Sequence, residues 1–182
     1  MGKTFDHIDQ SIERWISKQE VFFVSTAPLN DGGLVNCSPK GRDTLRVLDS
    51  KTLAYMDGDG SGIETVAHVK ENGRIVIMLC AFEGPPKIYR FHGVGEVFEP
   101  HQADFEVLRS AFPPGNCRAI IKIAVTRISD SCGYGVPRYN YVGERASHNN
   151  MMSRMSEAEL EANRDSNALS LDGLPGLKRK ES

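Results

Sequence analysis

Tyr55-Met56-Asp57-Gly58-Asp59-Gly60-Ser61-Gly62-Ile63-Glu64-Thr65-Val66-Ala67-His68 is the stretch whose reading decides the fold. It follows the β-favouring Thr52 to Met56, crosses a loop with three glycines, and enters a segment in which Ile63, Val66 and Ala67 recur at helical spacing. The order is therefore strand, glycine loop, helix. Ser61 followed by Glu64 has the spacing of a capping box at the helix start, and Asn72-Gly73 supplies a stop. Glycines let backbone approach a ligand, and amides beside a helix N-terminus attract anions, so the loop suits a phosphate; it equally suits a tight strand-to-helix connection. It lacks the Gly-Lys-Ser/Thr end of a P-loop and does not match a Rossmann fingerprint.

Upstream, Phe5, Ile8, Ile12, Trp15 and Ile16 share one face of a helix expected to open near Thr4 and to cover the following sheet. Val21 to Thr26 and Leu34 to Ser38 read as a hairpin about Asn30-Asp31-Gly32-Gly33. Pro39 is expected to end the pairing, leaving Lys40 and Gly41 at a strand end where a ligand can meet them. Leu45 to Leu48 and Thr52 to Met56 flank a turn at Asp49-Ser50-Lys51.

Downstream, Arg74 to Ala81 is an almost continuous apolar strand, and Lys87 to Phe98 is a long strand whose Gly93 and Gly95 suggest a bulge. A short helix carrying Phe105, Leu108 and Phe112 precedes a last core strand, Ala119 to Ile128. Asp130 to Pro137 reads as loop, Ser156 to Asn163 as a polar helix, and Lys178-Arg179-Lys180 as a solvated tail. The connections are too short for repeated βαβ crossovers. The expected fold is α+β, a mainly antiparallel split β-barrel with a few flanking helices, over one domain (1–182) whose residues from about 130 to 182 form a C-terminal extension.

Composition narrows the function. With 40% hydrophobic residues and a net charge of −2, the chain can bury a sizeable core but has no basic field for nucleic acid. No apolar run reaches membrane-spanning length and the N-terminus does not read as a signal peptide, so a soluble, cytoplasmic protein is expected. Cys37, Cys80, Cys117 and Cys132 are far apart, without metal-ligand spacing; reduced thiols and no metal site are expected.

Several strings carry a resemblance: Asn36-Cys37-Ser38-Pro39-Lys40-Gly41, Gly60-Ser61-Gly62-Ile63-Glu64-Thr65-Val66-Ala67-His68, Ala81-Phe82-Glu83-Gly84-Pro85-Pro86, Ser131-Cys132-Gly133-Tyr134-Gly135-Val136-Pro137 and Asp172-Gly173-Leu174-Pro175-Gly176-Leu177. With the order of elements, they make the chain resemble the pyridoxamine 5′-phosphate oxidase-related superfamily of FMN-binding split barrels, in a branch distinct from the authentic vitamin B6 oxidases. The resemblance implies a homodimer with FMN at the subunit seam. It implies that Lys40 meets the flavin or its phosphate, that Asn36, Cys37 and Ser38 face the ring, and that Ser61, Gly62, Ile63 and Thr65 form the phosphate loop. Tyr134, with Arg138 and Tyr139, falls on a loop that suits a lid over the partner's cofactor, and for Tyr134 simple packing suits equally.

The chain departs from the oxidase pattern in three places. Glu64-Thr65 stands near the position of an adjacent Arg-Lys pair, Ile88 replaces the Gln after a basic residue, and no Arg-x-His triplet follows Val136. A carboxylate beside a phosphate is unfavourable, which is why Glu64 is expected to turn back into the capping box. The other departures argue against pyridoxamine phosphate as substrate but leave the flavin. The implied activity is an FMN-dependent oxidoreductase acting on a small-molecule electron acceptor; the alternatives are a flavin-binding or cofactor-storing protein without turnover, and a reductase using deazaflavin F420. No residue is singled out as catalytic: His68 and His92 read as packed or surface histidines, and Arg90 suits a cleft or an ion pair equally.

Overall fold

Eight strands and four helices form along residues 2–145 and 154–178, the part of the chain that the computed structural model describes. In chain order they are β1 (Thr4–Phe5), α1 (Gln10–Ile16), β2 (Phe22–Thr26), β3 (Asn36–Lys40), β4 (Leu45–Asp49), β5 (Thr52–Asp57), α2 (Glu64–Asn72), β6 (Arg74–Cys80), β7 (Lys87–Phe98), α3 (Phe105–Arg109), β8 (Ala119–Cys132) and α4 (Glu157–Ser166). The strands make one antiparallel sheet in the order β3-β2-β6-β7-β8-β5-β4, with β1 added to β8.

The sheet curls because β7 and β8 are long and bulged. They pair from Lys87↔Cys132 to Phe98↔Ile120, with a register shift between His92 and Gly93. A side chain at Gly93 would meet the Ala124 carbonyl, so only glycine lets the two backbones close there. The first part of β8 pairs with β5 and its far part with β1, which bends the sheet into a split barrel. Val24, Leu53, Tyr55, Ile77, Leu79, Phe91, Ile121 and Ile123 fill the concave side, closed by Ile12 and Ile16 of α1 and Val66 and Val69 of α2. A second cluster packs Phe105 and Phe112 under Ala54, Met56 and Ile120.

The strand register also defines an outer face. Pro39, Phe23, Met78 and Arg90 form one row across β3, β2, β6 and β7, and Cys37, Ser25, Val76 and His92 form the next. Phe23, Val76 and Met78 on this face are only half-buried.

Three expectations are corrected. The first helix starts at Gln10, capped by Asp9, whose carboxylate accepts from the Ser11 and Ile12 amides; Phe5 keeps the apolar phase but lies in β1 opposite Ile128. Pro39 does not end the pairing: it sits inside β3 opposite Phe23, tolerated because β3 is an edge strand. Asp130, Ser131 and Cys132 belong to β8, where they pair with Tyr89, Ile88 and Lys87. The sequence-read tail is partly visible: the Lys178 amide donates to Glu99 at 2.7 Å, while Arg179 and Lys180 lie outside the described residues.

Candidate functional site

β3 alternates in burial, with Asn36, Ser38 and Lys40 half-buried and Cys37 and Pro39 exposed. Opposite β3 lies the glycine loop, residues 58–62, and between the two is a cleft of about 560 Å³ lined also by Thr65, Arg118 and Leu171. Asn36, Cys37, Ser38, Lys40, Ser61, Gly62 and Thr65 thus border one cavity. Two sequence-read residues do not. The Ile63 side chain is buried in the core and abuts Gly176. Tyr134 is 84% exposed, on a loop that docks elsewhere through Tyr139, whose amide donates to the Phe82 carbonyl.

Asp57, the last residue of β5, is fully buried beneath the cleft. One carboxylate oxygen accepts from Lys40 Nζ at 2.8 Å and the other from Arg118 Nε at 2.8 Å. Burial pushes this carboxyl up, but the charges of Lys40 and Arg118 and their hydrogen bonds outweigh it and hold the group below the ordinary carboxylate value. Lys40 spends one of its three N–H donors and Arg118 two of its five, the second on the Gly62 carbonyl at 2.8 Å. Donors therefore remain on both cations for an anion in the cleft.

A second buried carboxylate anchors the loop. Asp59 is 2% exposed and forms a two-pronged pair with Arg164 of α4, at 2.8 Å for each contact, and accepts from Asn116 Nδ2 at 2.9 Å. Burial raises the Asp59 carboxyl, and the bonds from Arg164 and Asn116 bring it below its ordinary value. This pair ties the segment after residue 154 to the rim of the cleft.

The expected capping box at Ser61 is absent. Residue Ile63 occupies the N-cap position of α2 without a side-chain hydrogen bond, and Ser61 is exposed. The physical reason is Arg118: its hold on the Gly62 carbonyl keeps Gly62 out of the helix, so the first helical bond runs from Ala67 to Ile63. Glu64 folds its carboxylate back over Gly62 instead, beside the positive helix end. The expected stop holds, with Gly73 at φ 70° and its amide on Val69. A full capping box does occur, at Ser156 and Glu159 of α4.

Behind the cleft runs a polar network. Ser38 Oγ donates to Asn36 Oδ1 at 2.9 Å, and Asn36 Nδ2 donates to Thr65 Oγ1 at 2.9 Å and to Thr26 Oγ1 at 3.1 Å. Thr26 Oγ1 lies 3.0 Å from Nδ1 of His68, which is fully buried. His68 Nε2 faces Asp172 Oδ2 at 3.4 Å, and Asp172 Oδ1 accepts the Leu34 amide at 3.0 Å.

Sequence reasoning missed Asp57, Arg118, Asp59, Asn116, Arg164 and Asp172. The available signals were Asp57-Gly58-Asp59 inside the glycine loop and Arg118 directly before the apolar run from Ala119: charges committed to burial need partners. His92 and Arg90 lie in the outer-face rows, Arg90 donating to Ser131 at 3.0 Å, and neither lines the cleft. Cys37 lies at the cleft and Cys132 at the end of β8, both exposed. Burial pushes the Cys117 thiol up to about 11 and raises Cys80, which makes both poor nucleophiles. Among the described residues no group of three or more His, Cys, Asp or Glu is placed to hold a metal ion, and no helix is long and apolar enough to cross a membrane.

The chain has relatives among known proteins. The family profile described as pyridoxamine 5′-phosphate oxidase matches residues 8–132. The pyridoxamine 5′-phosphate oxidase family protein ustO of Aspergillus flavus is 33% identical over 192 aligned positions, which span 95% of this chain and 77% of that protein. The crystal structure of HupZ from Group A Streptococcus superposes with a TM-score of 0.51 at 28% identity, over 66% of this chain and 91% of its own. A variant of HupZ gives 0.53 at 28% identity, over 68% and 99%.

Proposed function

Because the chain belongs to the pyridoxamine 5′-phosphate oxidase family, we propose that it is a flavin-dependent oxidoreductase that holds FMN in the cleft between β3 and the glycine loop and passes electrons to a small-molecule acceptor. The observation that carries this reading is the Lys40–Asp57–Arg118 cluster: two cations with donors to spare, aimed by a buried carboxylate at the mouth of a glycine loop. Arg118 offers, from the position just before β8, the positive charge that the oxidase pattern draws from an Arg-Lys pair on the helix. A cleft of about 560 Å³ is in the range of cofactor sites.

When bound, the flavin supplies the redox chemistry. Lys40 and Arg118 hold the phosphate; Asp57 fixes their directions without reaching the ligand. Asn36, Ser38 and Thr65 set the polar edge along the ring, and Ile63 pins the loop to the core. The free thiols Cys37, Cys80, Cys117 and Cys132 suit a reducing, cytoplasmic compartment. The protein works as a homodimer through the half-buried outer face of β2 and β6, with the Tyr134 loop over the partner's cleft. It is not an authentic vitamin B6 oxidase, and pyridoxamine phosphate is not its substrate.

The test is the visible spectrum and mass of the small molecule that co-purifies, followed by titration with FMN and by NAD(P)H consumption with quinone or nitro acceptors. FMN with turnover is the expected result. A yellow protein without turnover restricts the reading to flavin storage, a deazaflavin mass replaces FMN by F420, and absence of any flavin affinity overturns it. Incubation with pyridoxamine phosphate and oxygen should give no pyridoxal phosphate.

A further inference from the structure

The network behind the cleft has a direction, and its direction is set by a residue that never reaches the ligand. His68 Nε2 and Asp172 Oδ2 are both buried, face each other at 3.4 Å and have no hydrogen-bond partner. A carboxylate repels a bare ring nitrogen and attracts an N–H, so the neutral imidazole carries its proton on Nε2, and Nδ1 is left as an acceptor. Thr26 must then donate to Nδ1 across 3.0 Å, and its oxygen accepts from Asn36. That fixes the Asn36 carboxamide with both N–H bonds toward Thr26 and Thr65 and its oxygen toward Ser38. Ser38 consequently gives its proton to Asn36. It turns lone pairs, not a proton, to the cleft it lines.

The opposite arrangement is self-consistent everywhere except at Asp172. With Asn36 flipped, Thr26 would donate to the amide oxygen and accept from His68 Nδ1–H, and the bare Nε2 would face a carboxylate oxygen. Asp172 forbids that state, and the Leu34 amide holds Asp172 in place at 3.0 Å.

We infer that Asp172 and His68 are positioning residues that make Ser38 a hydrogen-bond acceptor, so that the cleft selects a ligand presenting an N–H along its ring edge. Given the flavin reading above, on which the ligand part rests, the group recognised is the imide N–H of the isoalloxazine ring. The C-terminal segment thereby takes part in ligand selection through a four-residue relay, without touching the ligand.

Asp172→Asn tests the relay directly. The Leu34 amide would hold the new amide oxygen, the amide nitrogen would face His68 Nε2, and every bond from His68 to Ser38 would reverse. Long-range ¹H–¹⁵N correlation on the ligand-free protein should show His68 as the Nε2–H tautomer in the wild type and as the Nδ1–H tautomer in Asp172→Asn. In parallel, FMN and 3-methyl-FMN, which lacks the imide proton, are compared by titration. The wild-type preference for FMN should fall by roughly three- to tenfold in Asp172→Asn, the worth of one hydrogen bond. It should fall equally in Ser38→Ala, in which the tautomer stays Nε2–H. An Nδ1–H tautomer in the wild type, or a preference that drops in Ser38→Ala but not in Asp172→Asn, overturns the inference. If neither flavin binds, the proposed function fails while the tautomer measurement still decides the relay.

Discussion

The Asp57 carboxylate is fully buried and answers two cations, so its removal leaves Lys40 and Arg118 facing each other without a counter-charge. Asp57→Ala should destabilise the protein by about 3–5 kcal/mol in a urea melt, the range for breaking a buried ion pair from one side. Lys40→Ala is milder for the fold, because Arg118 still pairs with Asp57, but it should weaken FMN binding by roughly 1–3 kcal/mol in a titration. The acid limit follows from the sign of the shifts. Asp57 and Asp59 both titrate below their ordinary value of 3.8, so the stability their pairs contribute is present above that value and is lost as pH falls through the lower, folded values. The urea midpoint should therefore stay flat from pH 7 to about 5 and drop below about 4. Lys40 was expected at the cleft as a strand-end residue, and Asn36 and Ser38 through the resemblance; in the structure a single alternating strand carries all three to the loop. Arg118 was not expected there, because its partner lies 61 residues away, and a charge placed directly before an apolar run signals burial without naming the carboxylate that it meets.

At the scale of elements, the sheet and most of its strand bounds could be read from apolar runs and turn residues, and the bulge from Gly93. Gly93→Val should cost about 1–3 kcal/mol by forcing a side chain against the Ala124 carbonyl and Ile123, and should be visible as a lowered melting temperature. The errors share a cause: local pattern was overridden by a distant partner. Phe5 fits the helical phase of Ile8 and Ile12, yet Ile128 draws it into a strand. Ser61 and Glu64 have capping-box spacing, yet Arg118 takes the Gly62 carbonyl and delays the helix. The end of β8 reads as glycine-rich loop, but β7 is long enough to pair with it as far as Cys132. The site's missing half had the same origin, since Arg164 and Asp172 each meet a partner far away in the chain, Asp59 and His68, that the local sequence does not name.

Across the whole molecule, the outer rows through Phe23, Met78 and Val76 leave apolar surface half-covered beside the charged Arg90 and the buried, unpartnered Nδ1 of His92. A two-fold contact there would cover it. Met78→Glu should convert the expected dimer to a monomer in light scattering at micromolar concentration, and FMN affinity should fall with it if the cleft is shared. The same sheet also constrains how the chain reaches its native state. β8 follows in sequence every strand that it joins, with β7 on one side and β5 and β1 on the other. Until it emerges from the ribosome, the sheet exists as two unjoined pieces, β3-β2-β6-β7 and β5-β4, each with an open edge. Sealing them requires contacts spanning most of the chain, a topology that folds in milliseconds to seconds instead of microseconds. Nascent chains stalled before residue 119 should therefore be the species that chaperones retain and that aggregates, and the arrival of one strand should clear both edges at once.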